Sequence, residues 1–196
     1  MKFLLKKALV FLCFIPLFTS CLGLLKDKEE NLSLAEDFNT VRINDQYSIA
    51  LPKYMKEATN LNDDASLQYQ NIFKEAYVVV IDEPKQDLID VFKELEEWDD
   101  NKSVVENYRD IQLQFFTENI TVDNQSPSRA LKINGMDAEI VEIDGKAQDV
   151  IYDIAYTLGF VEGEKNVYMI MAWTLKDKRK KFKKTYDLAI KSFELL

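Results

Sequence analysis

Histidine is absent from this 196-residue chain, and cysteine occurs only twice, at Cys13 and Cys21. Ser-His-Asp and Cys-His catalysis, thiol redox chemistry and Cys/His metal sites need those residues and are excluded. Glycine is nearly as scarce. The five glycines (Gly23, Gly135, Gly145, Gly159, Gly163) form no G-x-G-x-x-G or Walker-type loop, so the familiar phosphate cradles are missing too. The 25 lysines and arginines are outnumbered by 34 acids, for a formal net charge of −9. That balance argues against nucleic acid as a partner, because phosphates demand a basic footprint. Carboxylates, lysines, tyrosines and hydroxyls are what remain for chemistry.

The N-terminus is where the sequence says most. Lys2, Lys6 and Lys7 precede an apolar stretch over residues 8–18, which ends in Thr19-Ser20-Cys21. A basic start, an apolar run too short to span a bilayer comfortably and small residues before the cut mark a cleaved export signal. The segment resembles a bacterial lipoprotein signal, with Phe18 standing where an aliphatic residue is usual. On this reading residues 1–20 are the signal peptide, and Cys21 becomes the acylated first residue of the mature chain. An ordinary signal peptide cut a few residues later is the competing reading, but nothing after Cys21 offers a better small-x-small site. Cys13 leaves with the signal. Two or more acyl chains hold a protein durably on a membrane where one does not, so the expected product is an exported, lipid-anchored protein in the cell envelope. Its membrane and face are left open. The signal removes three lysines and no acid, so the exported chain is more acidic still.

Residues 21–39 read as the lipidated terminus and a flexible tether, because Lys26-Asp27-Lys28-Glu29-Glu30 is a solvated charge run. One domain is expected over residues 40–196. Tyr47, Ile49 and Leu51 alternate with Ser48 and Ala50 up to Pro52, which predicts a strand. Residues 67–72 and the nearly all-apolar residues 76–81 predict two more. Apolar residues at three- and four-residue spacing predict helices over 86–98 and 103–117, the second opened by a Ser103–Glu106 capping box.

The C-terminal half reads as an antiparallel meander. Asn134-Gly135 is a hairpin dipeptide, and Asp144-Gly145 a second turn signal. Val150, Tyr152, Ile154, Tyr156, Leu158 and Phe160 alternate along one expected strand, and Gly159 to Gly163 turns the chain. The apolar run 167–173 predicts a central strand covered on both faces. A last helix, with Thr174 to Asp177 as its expected capping box, carries the stripe Phe182, Tyr186, Ala189, Ile190 and Phe193. Its other face holds Lys178, Lys180, Lys181, Lys183 and Lys184, read as a solvated face, with contact to an acidic partner or lipid headgroups as the sharper alternative.

Tyr47-Ser48-Ile49-Ala50-Leu51-Pro52, residues 131–137 with their Asn-Gly, the tyrosine-rich strand 152–160 and the closing Ser192-Phe193 together resemble the PsbP/Mog1-like fold, including its bacterial lipoprotein branch (DcrB/LpqN-like). The resemblance implies an α+β domain in which helices cover both faces of an antiparallel sheet, an α/β/α sandwich. It also implies an accessory or binding role. No motif tied to any family member's activity is matched, and fold alone does not carry function.

Asp63-Asp64, Glu96-Glu97-Asp99-Asp100 and Asp123-Asn124 are acidic clusters that lack calcium-loop spacing; they read as solvated acids, and no metal or cofactor is expected. Tyr152 and Tyr156 read as core or pocket lining. A ligand groove, if present, is expected between the sheet and the helices over residues 86–117. The favoured function is a non-enzymatic envelope lipoprotein that binds or helps assemble a protein partner. The alternatives are a carrier of a small apolar or lipid ligand and a carboxylate-based hydrolase, for which Glu142 and Asp153 are carboxylates to test.

Overall fold

Alternation in the long C-terminal strands builds two cores back to back, as the computed structural model, which describes residues 28–147 and 150–196, makes plain. The elements run in the order α1 (Leu34–Asp37), β1 (Phe38–Ile43), β2 (Tyr47–Pro52), β3 (Lys56–Glu57), β4 (Leu67–Asn71), β5 (Ala76–Pro84), α2 (Lys85–Glu94) and α3 (Val104–Glu118). Then follow β6 (Ile120–Gln125), β7 (Arg129–Ile133), β8 (Met136–Ala147), β9 (Ile154–Glu162), β10 (Asn166–Leu175), a 3-10 turn (Lys176–Lys178), α4 (Arg179–Lys191) and β11 (Glu194–Leu195). Eight strands form one antiparallel sheet in the order β3-β4-β5-β10-β9-β8-β6, with β7 pairing β8 beside β6; β1-β2-β11 form a second sheet.

Leu158, Phe160, Val167 and Met169 face Leu88 of α2 and Val105 and Tyr108 of α3. Their neighbours of opposite parity, Val161, Ile170 and Ala172, face Ile49 of β2 and Phe182, Tyr186 and Ile190 of α4. The fold is therefore α+β with antiparallel sheets. The second face is shared by α4 and the small sheet, in place of the purely helical layer expected. This explains why all six residues of β2 are buried despite their alternating pattern: the strand lies between two others and under α4. As expected, β10 is central, between β5 and β9, and the α4 stripe is buried throughout. The Ser103–Glu106 capping box forms in both directions. Its hydrogen bonds, first that from the Ser103 side chain and then that from its backbone, hold the Glu106 carboxyl below the usual carboxylate range.

Several boundaries differ from the sequence reading, each for a local reason. The Asn134-Gly135 hairpin forms, with Ile133 opposite Met136, but Asp144-Gly145 is no turn, because β8 runs through it to Ala147. Gly145 is there for closeness: a Cβ on it would lie 2.7 Å from the Thr121 backbone oxygen of β6. Gly159 likewise sits inside β9, where a Cβ would meet Ile190 of α4 at 2.6 Å, and the turn comes later, around Gly163. The strand expected from Val150 begins at Ile154, and Val150, Ile151 and Tyr152 are exposed. Helix α2 ends at Glu94, ahead of Glu96 at φ 60°. Thr174 is buried within β10 and caps nothing, since α4 is entered through the 3-10 turn. The later part of the expected tether is ordered: residues 34–43 form α1 and β1, so the folded region starts before Thr40.

Candidate functional site

Cys21 lies outside the described residues. Among the described residues, the first strongly held one after it is Glu30, whose side chain is only 9% exposed. Its backbone N–H donates to the Lys181 carbonyl at 2.9 Å. Its carboxylate accepts from Lys74 Nζ at 2.9 Å, Tyr54 Oη at 2.9 Å and Thr185 Oγ1 at 3.1 Å. Burial, followed by the nearby Glu30 charge, pushes the Tyr54 phenol well up. Lys74 also lies over the Tyr54 ring, 4.4 Å from its centroid. No pattern in the charge run singles out Glu30; its partners come from three distant parts of the chain.

The carboxylates weighed for chemistry are engaged with cations. Glu142 pairs with Lys183 and lies 3.7 Å from Arg179, which meets Asp144 at 2.6 Å. Asp153 and Asp123 both approach Lys176, at 3.9 and 2.7 Å. Beside Glu142 an open groove of about 400 Å³ runs along α4, lined by Arg129, Lys183, Asp187 and Lys191 among others. Its charges are paired, Arg129 of β7 with Asp187 of α4 at 2.9 Å and Lys191 with Asp187 along α4 at 2.5 Å. In the acidic clusters, Asp99 accepts from the Asn101 backbone at 2.9 Å and Asp100 pairs with Lys93 at 2.9 Å. No group of three or more possible metal-ligating residues occurs among the described residues.

The expected groove under the helices is filled instead. Tyr108 meets Phe160 edge-on at 5.9 Å and Phe116 meets Tyr156 at 4.9 Å, so Tyr156 is core while Tyr152, 57% exposed, is not. A partly buried carboxyl, Glu83, lies at the rim of this layer. Glu83 accepts from Gln112 Nε2 at 2.7 Å, and burial pushes its carboxyl above the ordinary range. A raised folded pKa means that ionised Glu83 costs stability at neutral pH, and the cost disappears as pH falls below the unfolded value of about 4.3. Glu83→Gln keeps an acceptor for Gln112. It is expected to raise Tm at neutral pH and to give no gain near pH 3, as thermal unfolding at both values will show.

Exposed apolar side chains fall mainly in two groups. Val91, Leu95 and Phe115 lie on α2, its C-cap and α3, joined by a Phe92–Phe115 ring contact at 6.1 Å. Ile72, Phe73, Val150, Ile151 and Tyr152 occupy two strand connections.

No family model and no curated protein sequence matches the chain. Among solved structures, the cyanobacterial PsbP (CyanoP) of Synechocystis sp. PCC 6803 superimposes with a TM-score of 0.56 at 11% identity, covering 86% of this chain and 98% of that one. This chain has the PsbP-like fold. Lesser likenesses are to LpqN of Mycobacterium tuberculosis, described as involved in cell envelope biogenesis (TM-score 0.46, 10% identity, 81% and 90% covered), and to PA94 of Pseudomonas aeruginosa, described as a putative regulator of unknown function (TM-score 0.44, 11%, 80% and 95%).

Proposed function

We propose that this protein is an exported lipoprotein, held on an envelope membrane by an acylated Cys21, whose PsbP-like domain binds or helps assemble a protein partner without catalysing a reaction. The observation that carries the reading is the fastening of Glu30. From Cys21 to Glu30 the chain spans at most about 30 Å when fully extended, so an anchor at Cys21 keeps the domain beside the bilayer. The filled core supports a binding module over a carrier of apolar ligands, and the pairing of Glu142 and Asp153 with cations supports it over a hydrolase.

Cys21→Ser is expected to move the protein out of the membrane fraction or to leave the precursor uncut, and the intact mass of the wild-type protein should show acyl chains on residue 21. An unmodified mature N-terminus at another residue overturns the anchor. Crosslinking in intact cells should trap a defined envelope protein. Substrate turnover that is lost in Glu142→Gln or Asp153→Asn overturns the non-enzymatic role.

A further inference from the structure

One end of the eight-stranded sheet differs chemically from the rest of this acidic molecule. Ala76 pairs with Thr174, Thr174 with Ala155 and Ala155 with Asp144, a row straight across β5, β10, β9 and β8. The β4–β5 turn, the β8–β9 connection and the entry to α4 therefore all leave the sheet at the same end. Phe73 there is 91% exposed and Ile151 76% exposed, with Ile72 and Tyr152 more than half exposed beside them in sequence. The fold does not need these side chains. The β4–β5 turn is closed by Asn71 Oδ1 accepting from the Lys74 backbone at 2.9 Å, and Glu75 takes the positive φ. Apolar groups projecting into water from a turn held by polar bonds point to an occupant outside the molecule.

Two further observations identify that occupant. Glu30, nine residues after Cys21, is held at this end, bonded to Lys74, the residue after Phe73, and to Lys181 and Thr185 of α4. The acids here are met by cations, Glu75 by Lys178 and Asp123 and Asp153 by Lys176, and beyond them Lys180, Lys181 and Lys184 follow on α4.

We propose that this end of the domain docks on a lipid bilayer. Ile72, Phe73, Ile151 and Tyr152 seat in the boundary between headgroups and acyl chains, and the lysines at the start of α4 face anionic headgroups. The inference rests on the anchored reading above, in that the bilayer is the one that holds Cys21. The short span from Cys21 to Glu30 brings the apolar end to the surface without a second partner.

The test uses the processed full-length protein, purified from the envelope and mixed with phosphatidylcholine vesicles that contain brominated acyl chains, with or without phosphatidylglycerol. Phe73→Trp is compared with Glu164→Trp, placed in the turn at the opposite end of the sheet. The expected result is quenching and a blue shift of emission for Phe73→Trp, with Glu164→Trp no different from the parent protein. Phosphatidylglycerol should strengthen the quenching, and salt should remove that increment. Equal quenching at both positions, or none at residue 73, overturns the proposal, as does crosslinking from residue 73 to an envelope protein in place of lipid. Intact mass reads the Cys21 anchor separately. An unacylated protein whose residue 73 is still quenched would sink the anchor and keep the docking end.

Discussion

Phe193→Ala is expected to cost about 3–5 kcal/mol of folding stability, a large share of the 5–15 kcal/mol typical of a domain. The ring is fully buried just beyond α4, 5.0 Å from the Tyr47 ring and 4.8 Å from that of Tyr168. It therefore joins the small sheet to the large one. The backbone around it is fastened as well. The Phe193 carbonyl accepts from Asn134 Nδ2 at 2.7 Å, and Ser192 Oγ accepts from the Ala50 N–H at 2.8 Å while donating to the Ala189 carbonyl at 2.6 Å. These bonds stop the chain from collapsing into the space that alanine would leave, so the cavity cost is added to the lost transfer energy. Urea unfolding should show a lower midpoint with an unchanged slope. A near-neutral midpoint would mean that the C-terminal segment is not docked.

Arg109→Leu is expected to be comparably damaging, about 3–5 kcal/mol. Glu139, 5% exposed on β8, accepts from both the Arg109 guanidinium and the Ser128 hydroxyl, and Arg109 also holds Asp110 at 2.7 Å. Removing the guanidinium leaves a buried carboxylate with one neutral donor. Most of the loss is the cost of that stranded charge rather than the worth of the pair, so the double change Arg109→Leu/Glu139→Leu should recover the greater part of it. Unfolding of the single and double variants measures this directly. A double variant no more stable than Arg109→Leu alone would show that shape, and not charge, is what the pair supplies.

Elements whose information is local were legible in the sequence. The Ser103–Glu106 box, the Asn134-Gly135 hairpin and the stripe from Phe182 to Phe193 stand as read, because a capping pair, a turn dipeptide and a helical period each act within a few residues. Val150 to Tyr152 continue the alternation past Ile154, where the pairing of β9 with Gly145 of β8 and Leu175 of β10 ends, so the period alone overextends the strand. Asp144-Gly145 was misread because a glycine that permits close strand approach looks the same in sequence as one that permits a turn. The strands β3, β6 and β11 were not expected at all, being short or polar segments ordered by the neighbours they meet.

The sequence by itself determined which residue chemistry this chain lacks, the mixed α+β character and the faces of its main helices, and it carries an export signal over residues 1–20 as an expectation. All of these follow from composition or from periods a few residues long. Only the tertiary structure decided that one sheet face is shared by α4 and a second sheet, that Glu30 is fastened by Tyr54, Lys74 and Thr185, and that Phe73 and Ile151 share one end of the sheet with the lysines of α4. Those arrangements join residues far apart along the chain. They exist only once strand register has brought the residues together, and no local pattern encodes which distant partner a side chain will meet.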